Sequence, residues 1–226
     1  MANMIKKNVA LGCTVTTNAT TYSTYTKDKI VDGNITNTDG YLTDAYAYSS
    51  PLIITLDLGK SYKISHINLK QLLYSSVRRC KDFEIQASND NSSFTPIITS
   101  VLQNNDETQT FDLPNDIAEY RYWNLIIRTN YNTNGVSALD KGICEVELYI
   151  IGKFLLKQDN KHYTIKDNSL VLLDSQVLDE VNFNINGFSD LNLLTNISNN
   201  YKITKQLESN ICEFDIDENM EKIEVV

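Results

Sequence analysis

Histidine, tryptophan, proline and glycine are scarce in this chain, with 2 His, 1 Trp, 3 Pro and 8 Gly in 226 residues. So little Gly and Pro excludes a fibrous or low-complexity chain. The two histidines, His66 and His162, fall in a predicted strand and a predicted hairpin, without a Ser, Cys or metal partner in recognisable spacing. No CxxC, Cys/His cluster, GxSxG, HExxH or phosphate-binding glycine loop occurs. No carboxylate pair stands at a spacing that marks glycoside hydrolysis. The chain is therefore read as non-enzymatic.

Basic residues are also outnumbered, 20 Lys and Arg against 29 Asp and Glu, for a net charge of -9. The only adjacent basic pairs are Lys6-Lys7 and Arg78-Arg79. That balance argues against nucleic acid or an anionic membrane as partner, because both reward clustered cations. No apolar stretch approaches the roughly 18 residues that cross a bilayer. The segment before Cys13 lacks the apolar run of a secretory leader. A soluble chain without its own export signal is expected, and Cys13, Cys80, Cys144 and Cys212, widely separated, favour free buried thiols over disulfides.

What the chain does have is short apolar runs in alternation. Between residues 51 and 151 the pattern predicts strands at 52–58, 64–70, 81–88, 108–113, 122–129 and 144–151. In the third, Phe83, Ile85 and Ala87 share one face while Glu84 and Gln86 share the other. Residues 121–128 set Trp123, Leu125 and Ile127 against a mixed face of Tyr122, Asn124 and Ile126, which suggests a strand between two layers or under a loop. Turns rich in Asp and Asn punctuate these runs, so an antiparallel sandwich or barrel follows. After Gly152 a small hairpin is predicted at 153–158 and 161–165, with a third strand at 170–173. A helix is predicted within 175–194, and the acidic end, 212–226, is either an edge strand or a tail. The expected organisation is a β-sandwich over 1–152 and a smaller α+β or β unit over 153–226, consistent with the usual domain size.

Several segments in order carry a family resemblance. They are Asn8-Val9-Ala10-Leu11-Gly12, Ile30-Val31-Asp32-Gly33-Asn34, and the run from Ile53 through Asp57-Leu58-Gly59-Lys60 to Ile64. Further on come Lys81-Asp82-Phe83-Glu84-Ile85-Gln86-Ala87-Ser88-Asn89-Asp90, Tyr120-Arg121-Tyr122-Trp123-Asn124-Leu125 and the closing run from Ile143-Cys144-Glu145 to Gly152. Over residues 8–152 the chain resembles the discoidin, or coagulation factor 5/8 type C, family, which includes galactose-binding modules. The resemblance implies a jelly-roll β-sandwich with a structural calcium ion. Carried over, Asp32 and Glu145 would supply carboxylates, and Lys29, Asn34 and Cys144 backbone carbonyls, with the family's Thr ligand among Thr36, Asn37 and Thr38. The family's tryptophan just beyond is missing, with Tyr41 or Tyr46 as stand-ins. The plain alternative is that Asp32 only caps a turn and Glu145 lies on a solvated face.

The resemblance also implies a ligand site on loops at one end of the sandwich. Tyr74, Arg78 and Arg79 on loop 72–79, Asn130, Tyr131, Asn132 and Asn134 on loop 130–134, and Asp44 with Tyr41 in 41–48 are the candidates for holding a cell-surface glycan. Arg forks adjacent hydroxyls, Asn both donates and accepts, and a Tyr face stacks on a sugar. With 13 Tyr in the chain, surface decoration or a protein contact is an equal alternative.

Residues 154–173 and Asn186-Gly187-Phe188-Ser189-Asp190-Leu191 resemble segments of tail and baseplate proteins of phages and phage-like particles (tailocins) from clostridia. This second resemblance implies a component of an oligomeric particle, made in a bacterial cytoplasm, with other tail subunits and possible surface glycans as partners. The competing expectation is a carbohydrate-binding module of a secreted, extracellular bacterial enzyme or adhesin. A third is a sandwich that only cements an assembly.

Overall fold

The computed structural model describes residues 6–36, 39–44, 51–73, 75–132, 140–151, 153–158, 161–166, 169–173, 186–188, 202–207 and 210–215. The chain divides into two compact units, one of them Asn8–Ile150. Among the described residues no helix is long and apolar enough to cross a membrane.

The sandwich unit is built on β1 (Lys6–Asn8), β2 (Thr14–Thr17), β3 (Tyr41–Leu42), β4 (Leu52–Tyr62), β5 (His66–Gln71), β6 (Asp82–Ser88), β7 (Thr95–Val101), β8 (Thr108–Asp112), β9 (Tyr120–Ile127) and β10 (Gly142–Ile151). One sheet runs β2-β4-β9-β6-β7 and the other β1-β10-β5-β8, with β3 also pairing β10. The mixed second face of β9 is explained by its place at the centre of its sheet, where Trp123, Leu125 and Ile127 fill the core and Asn124 accepts the Thr55 hydroxyl at 2.6 Å on the other side. Leu52, Ile54 and Leu56 of β4 alternate into the same core as Phe83, Ile85 and Ala87 of β6. From the opposite sheet come Ile67, Leu69, Val146 and Leu148. Phe83 and Phe111 meet edge to face across the two sheets at 4.9 Å. Full burial of such side chains stabilises by about 1.5–3 kcal/mol each, so the core outweighs any single surface pair.

Two departures from the sequence-based expectation have clear causes. Strand β7 was not expected because Pro96 interrupts its run, yet it is an edge strand, and Pro96 lies opposite Gln86 where the β6 register shifts. Strand β2 was hidden in a Thr-rich segment whose only buried member is Val15. In β10 the register with β5 shifts between Ile143 and Glu145, a β-bulge at Cys144. Such a bulge re-aims the following side chain, and here that side chain is Glu145.

The second unit contains an antiparallel sheet in the order β13-β12-β11-β14-β15. Its strands are β11 (Lys153–Gln158), β12 (Lys161–Lys166), β13 (Ser169–Leu172), β14 (Lys202–Leu207) and β15 (Asn210–Asp215). The predicted hairpin and third strand are β11, β12 and β13. Strand β14 was not anticipated, and β15, from the acidic end, is the edge strand beside it. Apart from 186–188, the helix predicted at 175–194 lies outside the described residues.

Candidate functional site

Two places in the sandwich concentrate polar groups that the fold does not fully use. The first is the cradle formed by the bulge of β10 and the loop after the short 3-10 helix Lys27–Val31. Gly33, at φ +77, donates its N–H to Glu145 Oε1 at 3.1 Å, and Asn34 N–H caps Asp32 Oδ1 at 2.8 Å. Glu145 is only 2% exposed, so the solvated-face alternative for it is corrected, whereas Asp32 does cap its turn. The other oxygen, Glu145 Oε2, is buried without a hydrogen-bond partner. Burial, opposed by the Gly33 bond and reinforced by Asp32, Glu147 and Asp39, pushes the Glu145 carboxyl up to about 8.

Asp39, also buried, accepts from Gly40 N–H at 3.0 Å and lies 3.8 Å from Lys29 Nζ. The same acids, Glu145, Asp39 and Asp32, add to burial in raising the Cys144 thiol to about 11. The Asn34 carbonyl faces that thiol at 4.0 Å. Among the described residues no three His, Cys, Asp or Glu side chains converge closely enough to hold a metal by themselves. A cation here would need backbone carbonyls beside two carboxylates, a donor mix suited to calcium and not to zinc. Of the residues expected to supply them beside Asp32 and Glu145, Lys29, Asn34, Thr36 and Cys144 are described, while Asn37 and Thr38 lie outside the described residues.

The second place is the loop end where residues 18–26, 39–44, 72–73, 75–80, 130–132 and 140–142 meet. Thr21 bridges Thr43, Thr43 N–H donates to Lys141 O at 3.0 Å, and Lys141 N–H returns to Thr43 Oγ1 at 2.9 Å. Arg79 bridges Gly142 and Cys80 bridges Asn130, so the three predicted loops are brought together. Cys80 is buried and free, as is Cys144, in line with the free-thiol expectation. Arg78 Nε is 3.1 Å from Asp140 Oδ2, and its guanidinium stands 5.7 Å from the centroid of the Tyr22 ring. Tyr22 is 43% exposed and is held by its N–H donating to Leu42 O at 2.8 Å. Asp140 Oδ1 is buried without a partner; burial raises this carboxyl, Arg78 opposes the rise and Asp44 adds to it.

Several expected ligand residues turn out to be scaffold. Tyr41 is fully buried, its hydroxyl donating to Ala19 O at 3.0 Å beside Thr17 Oγ1 at 3.2 Å, because its strand β3 packs against β10 under the loops. It is a core residue and not a site wall. Arg79 is buried and its guanidinium is spent on Leu72 O at 2.8 Å, Asn104 Oδ1 at 3.3 Å and an ion pair with Asp106. Asn130 is buried as a clamp, donating to Asp140 O and accepting from Asn132 N–H at 3.0 Å. Tyr131 is half-buried and donates to Leu102 O at 2.5 Å, with Lys81 Nζ over its ring at 5.8 Å from the centroid. Asp44 stays half-buried at the rim, its N–H donating to Thr20 O at 3.0 Å. Tyr46, Tyr74 and Asn134 lie outside the described residues. Sequence reasoning missed Tyr22 and Asp140; the only hints were a Thr/Tyr run at 20–25 and an acid just before the last strand.

Residues 14–140, which span most of this sandwich, match a known family model, described as F5/8 type C domain. The chain belongs to the F5/8 type C family. No curated protein matches it. Among solved structures, the family 32 carbohydrate-binding module of Clostridium perfringens NanJ, in complex with galactose, aligns with TM-score 0.53 and 18% identity over 64% of this chain and 99% of that one. CpGH89CBM32-5 from Clostridium perfringens, in complex with GalNAc-β-1,3-galactose, gives 0.51 and 16% over 61% and 94%. The lectin domain of lectinolysin, complexed with Lewis B antigen, gives 0.51 and 18% over 63% and 95%. At these identities the likeness establishes the fold. Two of these structures are carbohydrate-binding modules and the third is a lectin domain; none of the three is a tail or baseplate protein.

Proposed function

We propose that this chain is a non-catalytic glycan-binding protein, whose F5/8 type C domain takes sugar at the loop end around Tyr22, Arg78 and Asp140. The observation that carries this reading is the exposed Tyr22 ring fixed beside the Arg78–Asp140 pair. An aromatic face suits the apolar side of a hexose, and a positioned guanidinium and carboxylate suit its hydroxyls. The sugar-bound relatives with the same fold support it. The test is a glycan array together with a pull-down on bacterial envelope fractions. Binding that falls at least about tenfold in Tyr22→Ala, with melting temperature unchanged, is expected for a stacked platform worth about 1.4 kcal/mol or more. Absence of binding to every glycan and envelope fraction overturns it.

The cradle at Glu145 is, on this reading, a structural calcium site. Asp32 and Glu145 would provide the charge, and carbonyls of Lys29, Asn34 and Cys144 with Thr36 the remaining oxygens. The orphaned, buried Glu145 Oε2 is what supports the fit. The ion would tie the loop after the 3-10 helix to β10.

A further inference from the structure

The two outer strands of the second unit's sheet differ in how they are protected. Strand β15 carries Glu213 and Asp215, and charges on an edge strand resist pairing with another chain. Strand β13 carries none: Ser169, Leu170, Val171, Leu172 and the following Leu173 are all uncharged. Among the described residues it has a strand only on its β12 side. Leu170, Val171 and Leu172 are 36, 37 and 47% exposed, and nowhere else among the described residues do three successive large apolar side chains lie open. In β12 next to it, by contrast, Thr164 and Ile165 are buried. Single apolar residues on a surface are ordinary, but a run of them along a sheet edge is a template for a further strand.

The backbone fixes which groups that edge presents. Leu173 N–H donates to His162 O at 2.8 Å, next to the pairs that run from Tyr163 and Leu172 to Lys166 and Ser169. Inward and outward groups alternate along an antiparallel strand, so Val171 and Ser169 also turn their N–H and C=O to β12, while Leu170 and Leu172 turn theirs away. We infer that β13 is a dimerisation edge, on which a second copy of this chain lays its own β13 antiparallel about a two-fold axis at Val171. In that register Leu170 stands opposite the partner's Leu172 and Leu172 opposite the partner's Leu170, so every outward N–H meets an outward C=O. Val171 meets its own copy in the closer, non-hydrogen-bonded position. No like charges are set opposite one another, since Ser169 faces the partner's Leu173. The face that bears the cross-strand pairs Ile165 with Leu170 and Tyr163 with Leu172 continues into the same face of the partner. A strand complementary to itself closes at two copies, which favours a second copy over an open stack of chains. The pairing does not depend on the sugar or calcium readings.

Sedimentation of the full chain at up to about 200 μM, a range suited to a small interface, is expected to show a monomer–dimer equilibrium and no larger species. Leu172→Pro removes only an outward N–H, and Leu170→Lys places a charge on the edge. Either variant, at unchanged melting temperature, is expected to weaken dimerisation at least about tenfold. Should both fail to fold, Val171→Cys carries the test. The two-fold register brings the two thiols within cross-strand reach, so mild oxidation is expected to give a disulfide-linked dimer well above the level that the wild-type chain, with its own four cysteines, forms. A chain that stays monomeric throughout that range overturns the inference. So do dimers that survive Leu172→Pro and Leu170→Lys, species larger than a dimer, or a Val171→Cys chain that crosslinks no more than wild type. Any of these outcomes leaves the glycan-binding reading standing.

Discussion

Asp57 and Glu145 belong to the same sandwich but their charges are answered differently. Asp57 is gripped in bidentate fashion by Arg121, at 2.7 and 2.9 Å, and caps Gly59 N–H at 2.9 Å. The Arg121 hydrogen bond, against a small burial cost, holds its carboxyl below the usual range. Glu145 has one backbone donor, an orphaned second oxygen and Asp32, Glu147 and Asp39 as neighbours, and is pushed up to about 8. A carboxylate met by a guanidinium is part of the scaffold. One left short of positive charge in a buried cradle waits for a proton or a cation.

Three measurements sharpen that contrast, starting with the largest effect. Gly40 lies at φ +107, and a Cβ there would stand 2.5 Å from Ile143 O and 2.7 Å from Cys144 Cα, at the bulge that aims Glu145. Gly40→Ala is expected to cost about 3 kcal/mol or more and lower Tm by about 10 °C, read by thermal unfolding. An unchanged Tm would mean that the bulge is not rigid.

Next is the response of Glu145 to pH and calcium. Its native pKa lies above the ordinary 4.5, so the folded state holds an extra proton between about 4.5 and 8. Without divalent ions, stability is therefore full below the ordinary value and falls as pH rises through that window. Calcium should flatten this fall and raise Tm by several degrees near neutral pH, because it binds the native state. Glu145→Gln should remove both the pH slope and most of the calcium effect. Chelator-insensitive melting at neutral pH would break the calcium reading. The smallest effect is expected at Asp57→Asn, which loses a partly exposed surface pair and should shift Tm by no more than about 2 °C.

The legibility of the molecule follows the range of the forces involved. Alternation at Trp123, Leu125 and Ile127 was readable because a strand repeats every two residues, whereas the mixed second face of β9 suggested only a strand between two layers or under a loop, and its central place in the sheet came from the pairing. Edge strand β7 was not, since Pro96 and its exposed positions weaken the same signal. Asp32 and Glu145 could be named as a pair from the family resemblance. That they meet through Gly33 N–H depends on residues 112 apart in sequence. Tyr41 and Arg79 looked like ligand groups because aromatic and basic residues in loops resemble binding residues whether they point outward or inward. Burial decided both.

The sequence by itself determined the β-sandwich, its family and the absence of recognisable catalytic motifs, because periodicity, turn chemistry and ordered motifs are local properties. Only the tertiary structure decided which polar groups are spent and which are left over. Arg79 is consumed by Leu72, Asn104 and Asp106, while Tyr22 is set beside Arg78 and Asp140. The physical reason is that desolvation and hydrogen-bond satisfaction belong to the packed neighbourhood of a side chain, and that neighbourhood is drawn from distant parts of the chain.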